Sequence, residues 1–556
     1  MATYDYVIVG GGSAGCVLAN RLSEDPETRV LLLEAGGHHR HFLLTMPLGF
    51  MVALRQPKYR WSYWSEPEPH CDGRRIFLPR GRVLGGSSSI NGLFYMRGHT
   101  LDFETWRQMG CDGWGYADVL PYFRKMETSW RGEGPYHGGS GPLSVVPVET
   151  RDRLHQPLMD TAKAAGFAPV DDLHAGTEEG FARGELTITR DGKRASTARA
   201  YLDPASKRPN LSVVTGAVTQ RVLVEGKRAV GVEYRQGKQL LTVHAAKEVI
   251  LSGGSYNSPQ LLMLSGIGPA AHLREHGITV VHDLPGVGRN LSEHPRIPLH
   301  FTLKKPVSFL NQLRFDRAAL STARWFLTGK GAFASQVNSC NIIVRTRKEL
   351  AQPDIQLWSN PVRMDAHLWF PLLRKRQEDR ITADVILLHP HSRGWVELRS
   401  RNPEDPVAIT LNNFADPADL RTGREGIRLA RRIYRTAPQS ELTGREVTPG
   451  EDCQSDEALD AHIRAQAQVT QHPVGTCSMG IGAMAVVDPQ LRVHGIAGLR
   501  VVDASVMPTV PGANTNAPTI MIAERAADLI RGRTPLPPEH DLVPRYDTAP
   551  MESAAS

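Results

Sequence analysis

The sequence is poor in cysteine, and its cysteines are scattered. Six occur among 556 residues, with no C-x-x-C pair and no metal-ligand spacing. This distribution indicates free thiols in a reducing compartment rather than a disulfide framework or a metal centre. Cys16 lies in a predicted helix, where we expect it to be buried. The six are Cys16, Cys71, Cys111, Cys340, Cys453 and Cys477.

Long apolar runs and blocks of like charge are also missing. No stretch approaches the roughly 18–20 apolar residues that span a bilayer. We also expect no signal peptide before the strand predicted from Tyr4. The net charge of +7 is small for this length, and no Lys/Arg block resembles a nucleic-acid-binding arm. We therefore expect a cytoplasmic protein without a nucleic-acid partner or an integral membrane segment. Peripheral membrane contact and the oligomeric state stay open.

The length is typical of a protein with two or three domains. From about 300 to 465 the glycine clusters disappear, arginine increases, and the runs Asp384–His389 and Trp395–Arg399 are typical of strands. We interpret this stretch as a separate domain inserted into the first. The chain from Arg533 onwards is polar and rich in proline, which predicts a tail that is disordered or lies along the surface.

The N-terminal segment carries the pattern of a dinucleotide-binding turn. An apolar run at Tyr4–Val9 leads into G-x-G-x-x-G at Gly10, Gly12 and Gly15, and Ser13–Leu22 is a predicted helix. The glycines allow a tight turn, close approach of a pyrophosphate and close packing of the helix. The helix N-terminus offers free N–H groups to the phosphates. A glycine-rich turn without ligand is the alternative.

An acidic residue follows at the spacing that ribose binding requires. The predicted strand Arg29–Leu33 ends before Glu34, 19 residues beyond Gly15. A carboxylate there can hold a pair of ribose hydroxyls. It would repel a 2′-phosphate, so the pattern disfavours NADP.

Further segments carry longer motifs. They are Gly81–Asn91, Gly254–Gly268, His472–Thr476, Val502–Ser505 and Asn514–Thr519. In this order and spacing they resemble the glucose–methanol–choline (GMC) family of FAD-dependent alcohol oxidoreductases, and most of all its bacterial choline- and alcohol-dehydrogenase members. The resemblance covers nearly the whole chain and is weakest between about 300 and 460.

The resemblance implies an α/β fold (α+β overall). It would comprise an FAD-binding Rossmann-like domain of GMC type and an inserted substrate domain, built on an antiparallel sheet flanked by helices. The FAD-binding domain would cover 1–150, 196–300 and 466–535. The substrate-binding domain would cover 151–195 and 301–465, and 536–556 would form the tail.

The resemblance also implies the cofactor contacts, and no metal. The adenosine diphosphate half would meet Gly10, Gly12, Ser13, Ala14, Gly15, Glu34 and Ala35. The path from pyrophosphate to ring would be lined by Arg82, Gly86, Ser87, Asn91 and Gly92. The Val218 backbone would meet the adenine. The ribityl and ring end would meet Asp503, Ala504, Asn514, Thr515 and Asn516. Members with covalent flavin carry a histidine before the Asn91 position, whereas this chain has Ile90, so we expect non-covalent FAD.

His472 is the implied catalytic base, taking the hydroxyl proton while the carbinol hydride moves to flavin N5. Imidazole has a reference pKa near 6.5, so it is substantially neutral at working pH. Its implied partner is Asn514, with Asn516 as the alternative on the same N-x-N turn. Asn516 could also cap the predicted helix Ala517–Arg531, and the two roles could hold together. If the N-terminus of this helix faces the flavin, its positive end would stabilise the anionic reduced ring.

The leading prediction is oxidation of an alcohol, primary by preference, to an aldehyde or ketone, with electrons passed to a quinone-type or other acceptor. An oxygen-using oxidase of the same family stays open, because sequence does not show how oxygen reaches the flavin. A lyase that cleaves hydroxynitriles on this scaffold is the alternative from another class. Choline is disfavoured, since no aromatic or acidic cage for a quaternary ammonium is evident in 301–465.

Overall fold

Parallel strands form the centre of the first of two large sheets. The structure is a computed structural model that describes residues 3–149, 154–338, 340–363 and 365–544. The first sheet has seven strands, of which five are parallel and two complete an antiparallel meander. In spatial order they are Leu211–Thr215, Val30–Glu34, Thr3–Val9, Gln239–Leu251, Arg228–Gln236 and Ala217–Glu225, with Leu499–Val501 beside Gln239–Leu251.

The central strands are apolar because both faces of the sheet are covered. Val30–Glu34 is buried at every position, as expected of a parallel strand between layers of helices. The predicted helix Ser13–Leu22 is confirmed with these bounds, and Cys16 within it is buried. The second predicted strand lies one residue further on than Arg29–Leu33.

The N- and C-terminal parts of this layer are joined by two packed helices. Ser13–Leu22 lies against Asn516–Ile530, which begins one residue before the predicted start. Between them, the Arg21 guanidinium donates to both carboxylate oxygens of the fully buried Glu524, at 2.7 and 2.9 Å. The Tyr201 hydroxyl donates to the same carboxylate at 2.8 Å. This bidentate pair fixes the two helices that begin at the cavity described below.

The second large sheet has nine strands and is almost wholly antiparallel, as the fold prediction required. In spatial order the main path is Thr443–Thr448, His300–Leu303, Arg380–Leu387, Ile355–Asn360, Cys340–Val344, Gly180–Arg183 and Pro169–Val170. Pro295–Ile297 pairs on one side with Arg380–Leu387 and on the other with Gln468–Val469. The domain bounds given above stay a prediction.

The two faces of this sheet differ because side chains alternate along each strand. One face, with Leu357 and Val385, packs on the helices Pro417–Tyr434 and Asp456–Gln466. The strand register puts Trp358 opposite Asp384, so both belong to the other face. That other face is largely polar and is turned towards the first sheet, where it contributes to a cavity wall.

The remaining strands form small sheets. Arg60–Trp64 pairs with Phe77–Gly81, Ile267–Gly268 with His282–Asp283, and Glu127–Ser129 and Glu185–Leu186 with Leu143–Pro147. The run predicted at Asp384–His389 belongs to the strand Arg380–Leu387. Among the described residues, the strand Trp395–Glu397 pairs with Ala408–Thr410 and packs against the helix Gly254–Leu264, outside the nine-stranded sheet.

The helices not yet named are Phe42–Thr45, Phe50–Ala53, Thr100–Gln108, Tyr116–Met126, His155–Ala164, Asp203–Ala205, Ala270–Glu275 and Phe315–Thr328. Across the described ranges, no helix combines the length and apolarity needed to cross a bilayer. The predicted tail is described only as far as Pro544, and 545–556 lie outside the described residues.

Candidate active site

A cavity of about 1550 Å³ lies between the two sheets and brings the distant motifs together. The predicted site residues on its wall are Gly10, Gly12, Ser13, Ala14, Glu34, Ala35, Gly86, Ser87, Asn91, Gly92, Val218, His472, Asp503, Ala504, Asn514, Thr515 and Asn516. Gly15 and Arg82 are not on the wall. Gly15 is the close-packing position, because a Cβ there would be 1.9 Å from the Gly10 carbonyl oxygen. Arg82 lies over the Trp61 ring, 4.4 Å from its centroid.

The glycine turn forms a cradle of backbone. Gly10 has φ +103°, and a Cβ there would be 2.4 Å from the carbonyl oxygen of Ser252. A Cβ at Gly86 would be 2.7 Å from the Cα of Gly12, so two glycine turns meet at this point. No side chain caps the helix that begins at Ser13, and its first turn carries no acidic residue. This N-terminus has the free N–H groups and positive end that a pyrophosphate requires.

Glu34 lies beside this turn as a buried acceptor. Its Oε2 accepts from the N–H of Gly11 at 2.8 Å, and its Oε1 accepts from the N–H of Gly36 at 2.7 Å. Burial raises the pKa of the carboxyl. Each carboxylate oxygen keeps a further lone pair, so the group can accept from two ribose hydroxyls; binding of the ribose by Glu34 stays a prediction.

The first long signature brings Asn91 to the wall, where an unpredicted arginine holds its side chain. The Oδ1 of Asn91 accepts from Nη1 of Arg194 at 2.7 Å and from the N–H of Leu93 at 3.1 Å. Arg194 is buried, and burial lowers its pKa to about 9. Ile90 is also buried on the wall and has no nucleophilic atom.

Asp503 fixes the far end of the parallel sheet to the cavity. Its Oδ2 accepts from the N–H of Gly254 at 2.8 Å and from Oγ of Ser258 at 2.5 Å. Its Oδ1 accepts from the N–H and the hydroxyl of Ser505. Burial raises the pKa of this carboxyl. Ala504 is thereby held on the wall next to the start of the helix Gly254–Leu264.

His472 lies on the wall with both ring nitrogens engaged. Nε2 is 3.0 Å from Nδ2 of Asn514, and Nδ1 is 2.8 Å from Oγ1 of Thr470 and 3.1 Å from Nδ1 of His294. Burial, followed by the charges of His294 and Arg80, holds the pKa of His472 well below its usual range. The imidazole is therefore neutral at neutral pH and able to accept a proton.

Glu293 holds the backbone of His472 from behind the wall. Its Oε1 accepts from the N–H of His472 at 2.6 Å and from the N–H of His294 at 3.0 Å. Its Oε2 has no partner among the described residues. Burial raises the pKa of Glu293 to about 7 and lowers that of His294 to about 3.

Glu293 and His294 were not predicted from the sequence. They reach the site because Pro295–Ile297 pairs with Gln468–Val469, which places His294 and His472 at adjacent strand ends. The one available signal was the dipeptide His-Pro, which occurs at His294 as well as at His472. It also occurs at His389, which is not on the cavity wall, so the signal alone is not specific.

The two asparagines of the N-x-N turn have different neighbours. Asn514 contacts His472, and its Oδ1 is buried without a partner among the described residues. Asn516 accepts at its Oδ1 from the hydroxyl of Ser13, 2.8 Å away. The capping role considered for Asn516 is wrong: the helix already begins at this residue, Thr515 is its N-cap, and no side chain caps it.

The nine-stranded sheet supplies the wall near His472. Arg296 pairs across the strands with Gln468 and lies two residues beyond His294, so the two side chains share a face. Its guanidinium forms an ion pair with the buried Asp384. The ring of Trp358 stacks near that of Phe94, with centroids 6.4 Å apart.

Comparison with known proteins assigns the family. The family models for GMC oxidoreductases match residues 4–296 and 390–523. The chain belongs to the GMC oxidoreductase family. The FAD-dependent chemistry of this family acts on CH–OH groups, and the glycine cradle, the free helix N-terminus and the Glu34 acceptor fit FAD.

Similar proteins of established name support this assignment. An oxygen-dependent choline dehydrogenase of Burkholderia cenocepacia (strain HI2424) is 46% identical over 537 residues, covering 96% of this chain and 94% of the relative. One of Pseudomonas fluorescens (strain SBW25) is 45% identical over 540 residues, with the same shares covered.

Solved structures give the same fold. A formate oxidase of Aspergillus oryzae RIB40 superposes with TM-score 0.89 at 29% identity, covering 96% of this chain and 98% of the other. A pyridoxine 4-oxidase of Mesorbium loti superposes with TM-score 0.85 at 29% identity, covering 96% and 100%.

Proposed function

We propose that the protein oxidises a primary alcohol to the aldehyde, with His472 as the base that takes the hydroxyl proton. The observation that carries the proposal is the 3.0 Å contact between Nε2 of His472 and Nδ2 of Asn514, on the wall of the cavity that also holds the glycine cradle. When bound, FAD supplies the hydride acceptor for the carbinol carbon. The absence of a nucleophile at Ile90 supports non-covalent binding.

His472 and Asn514 have different roles at the alcohol oxygen. Because the Asn514 amide nitrogen donates, the facing Nε2 of His472 is assigned as the unprotonated nitrogen, and Nδ1 carries the hydrogen towards Thr470. A hydroxyl placed between them would accept from Asn514 and give its proton to Nε2. The carboxylate of Glu293, which accepts from the backbone N–H of His472, would stabilise the imidazolium that results.

The substrate we favour is uncharged. The relatives named choline dehydrogenases make choline the obvious candidate, and the Trp358 and Phe94 rings could face a quaternary ammonium. A guanidinium, Arg296, nevertheless shares the wall with them, and Asp384 beneath it is already paired. A neutral alcohol avoids placing a second cation beside Arg296.

The acceptor we favour is a quinone-type compound, because the cavity mouth is lined by apolar side chains such as Phe315 and Phe326. Oxygen is the second candidate. The similarity to oxygen-dependent choline dehydrogenases and to a pyridoxine 4-oxidase supports it.

An anaerobic substrate panel tests the reaction. The purified yellow protein is mixed with aliphatic, aromatic and sugar alcohols and with choline, and the flavin band is followed before a quinone or oxygen is admitted. Bleaching by a neutral primary alcohol and recovery with a quinone are the expected results. No bleaching by any alcohol, with turnover of a hydroxynitrile instead, would replace oxidation with lyase chemistry.

Arg296→Met tests the substrate class. Removing the guanidinium should raise the ratio of kcat/KM for choline to that for the best neutral alcohol about tenfold, because Asp384 would then favour a cation. Arg363→Met is the matched control, since Arg363 also lines the cavity but pairs with the exposed Asp365. Efficient bleaching by choline in the unaltered protein, with no change in Arg296→Met, would contradict the uncharged substrate.

A further inference from the structure

Exposed apolar side chains are concentrated around the mouth of the cavity. We call this set the apolar rim; every member is at least 38% exposed, and an exposed patch of large apolar residues marks an interaction site. Its members are Phe42, Val52, Phe315, Leu320, Phe326, Leu327, Leu368, Phe370, Leu372 and Leu373. Of these, Phe42, Val52, Phe315, Phe326 and Leu368 also line the cavity.

The helix Phe315–Thr328 forms one side of the rim, and most of its large apolar side chains face solvent rather than the protein. Its packing face is narrow, with only Ala318 and Trp325 buried. At 100° per residue, Phe315, Leu320, Phe326 and Leu327 fall within an outward sector of about 140°. Leu320 is 71% exposed and Leu327 84% exposed.

Two arginines border this outward sector. Arg317 and Arg324 are one heptad apart and follow Leu320 around the helix. A wide apolar face with basic residues at its edge is the pattern of helices that lie in the interface of a bilayer.

A tight turn forms the other side of the rim. Phe370 and Arg374 exchange backbone hydrogen bonds of 3.2 and 3.0 Å, and Leu372 and Leu373 occupy the tip. Leu372 is fully exposed and Leu373 is 84% exposed. The Phe315 N–H donates to the carbonyl of Trp369 at 2.9 Å, which fixes the turn against the helix.

The rim carries excess positive charge. Segments 311–330 and 362–376 contain eight Lys/Arg and two Asp/Glu. The two acids are already paired, Asp316 with Arg314 and Asp365 with Arg363. Within the described part of the chain, no carboxylate lies within 4 Å of the cationic groups of Arg317, Arg324, Arg374 and Lys375.

We propose that the apolar rim docks on a bilayer that contains anionic lipid. The leucines of the helix and of the turn would enter the apolar region, and the bordering arginines and lysine would meet the headgroups. Docking in this way places the cavity mouth against the membrane, so that a lipophilic acceptor or alcohol can enter without crossing water.

A second copy of this chain fits the rim less well. A two-fold symmetric contact would place the same patch on both sides, and the unpaired cations would face their own copies. An anionic surface offers the opposite charge over the same area. Charge complementarity therefore favours the membrane.

Vesicle flotation of the FAD-loaded protein tests the proposal. We expect binding to vesicles of phosphatidylcholine with phosphatidylglycerol, weaker binding to phosphatidylcholine alone, and a loss of the difference at high salt. The double change Leu372→Asp and Leu373→Asp should lower the partition coefficient at least tenfold. Arg317→Gln and Arg324→Gln should each lower it about fivefold, and only with the anionic vesicles.

Ile481→Asp with Met484→Asp is the matched control. These residues are also exposed, at 74% and 54%, but lie beside Gly110 and Gly286, away from the rim. This variant should float like the unaltered protein, and all variants should keep the flavin band and the anaerobic reduction rate with a soluble alcohol. Equal binding by the Leu372/Leu373 variant, or no binding to anionic vesicles at all, would overturn the proposal. A dimer that this variant converts to a monomer, without vesicle binding, would identify the rim as an interface between copies.

Discussion

The cavity has two walls that are built in different ways. On the side of the parallel sheet the wall at the glycine turns is backbone, because Gly10, Gly12 and Gly86 carry no side chains there. On the side of the antiparallel sheet the wall consists of side chains such as Arg296 and Trp358, whose direction is set by strand register. A backbone wall suits a ligand common to a whole family, whereas a side-chain wall can change with the substrate.

The largest effect we expect is the loss of the backbone wall in Gly10→Ala. The change combines an unfavourable left-handed backbone with a Cβ that would be 2.4 Å from the Ser252 carbonyl oxygen. We expect a loss of at least about 3 kcal/mol in the free energy of unfolding. Thermal unfolding and retained FAD absorbance measure it. In Gly37→Ala no atom lies within 4 Å of the new Cβ, and the change should stay within about 0.5 kcal/mol. Equal stability of the two variants would contradict the account.

Glu34→Gln should weaken FAD binding about tenfold without unfolding the protein. Glutamine has one acceptor oxygen in place of two, so its amide would face an N–H of Gly11 or Gly36. A cost of about 1.4 kcal/mol corresponds to that factor. Titration of the apoprotein with FAD measures it, with the exposed Glu27→Gln as control. An unchanged dissociation constant would remove Glu34 from the cofactor site.

Glu293→Gln should change the pH profile of substrate oxidation. The pKa of about 7 means that Glu293 is protonated below pH 7 and ionised above it. The anaerobic reduction rate should therefore rise with pH through about 7, up to about tenfold, because the carboxylate stabilises the His472 imidazolium. In Glu293→Gln this rise should vanish. A rise that persists unchanged would assign the titration to another group.

The contribution of Glu293 to the free energy of unfolding should fall as the pH rises, whereas the reduction rate should increase. The pKa of Glu293 is raised above its unfolded value, so the folded protein holds a proton that the unfolded chain has lost. Its contribution is full below about pH 4.5 and is lost as the pH rises towards 7. The Gln variant should lack this part of the pH dependence.

The contrast between the backbone wall and the side-chain wall also explains which parts of the site could be predicted from the sequence. The glycine turn and Glu34 lie within one strand–helix–strand unit, so their spacing follows from local geometry. Glu293 is 179 residues from His472, and only strand pairing brings them together. The helix-capping role considered for Asn516 was wrong for a related reason. Its side chain accepts instead from the hydroxyl of Ser13, which is distant in sequence.

The cavity wall on the side of the antiparallel sheet was the least predictable part of the site. The antiparallel character of its sheet and several strands could be inferred, but the sequence did not show that Trp395–Glu397 belongs to a separate two-stranded sheet. The face on which Arg296 and Trp358 lie depends on register, and a shift of one residue would turn both away from the cavity.

The most direct test of the central claim is the anaerobic reduction rate of His472→Ala with the best alcohol of the panel. Removing a general base should slow it about 100-fold or more, with the flavin spectrum and thermal stability retained. His462→Ala should stay within a few-fold, since that imidazole faces the Pro298 carbonyl oxygen outside the cavity. Reduction of the His472→Ala protein at close to the unaltered rate would contradict the account.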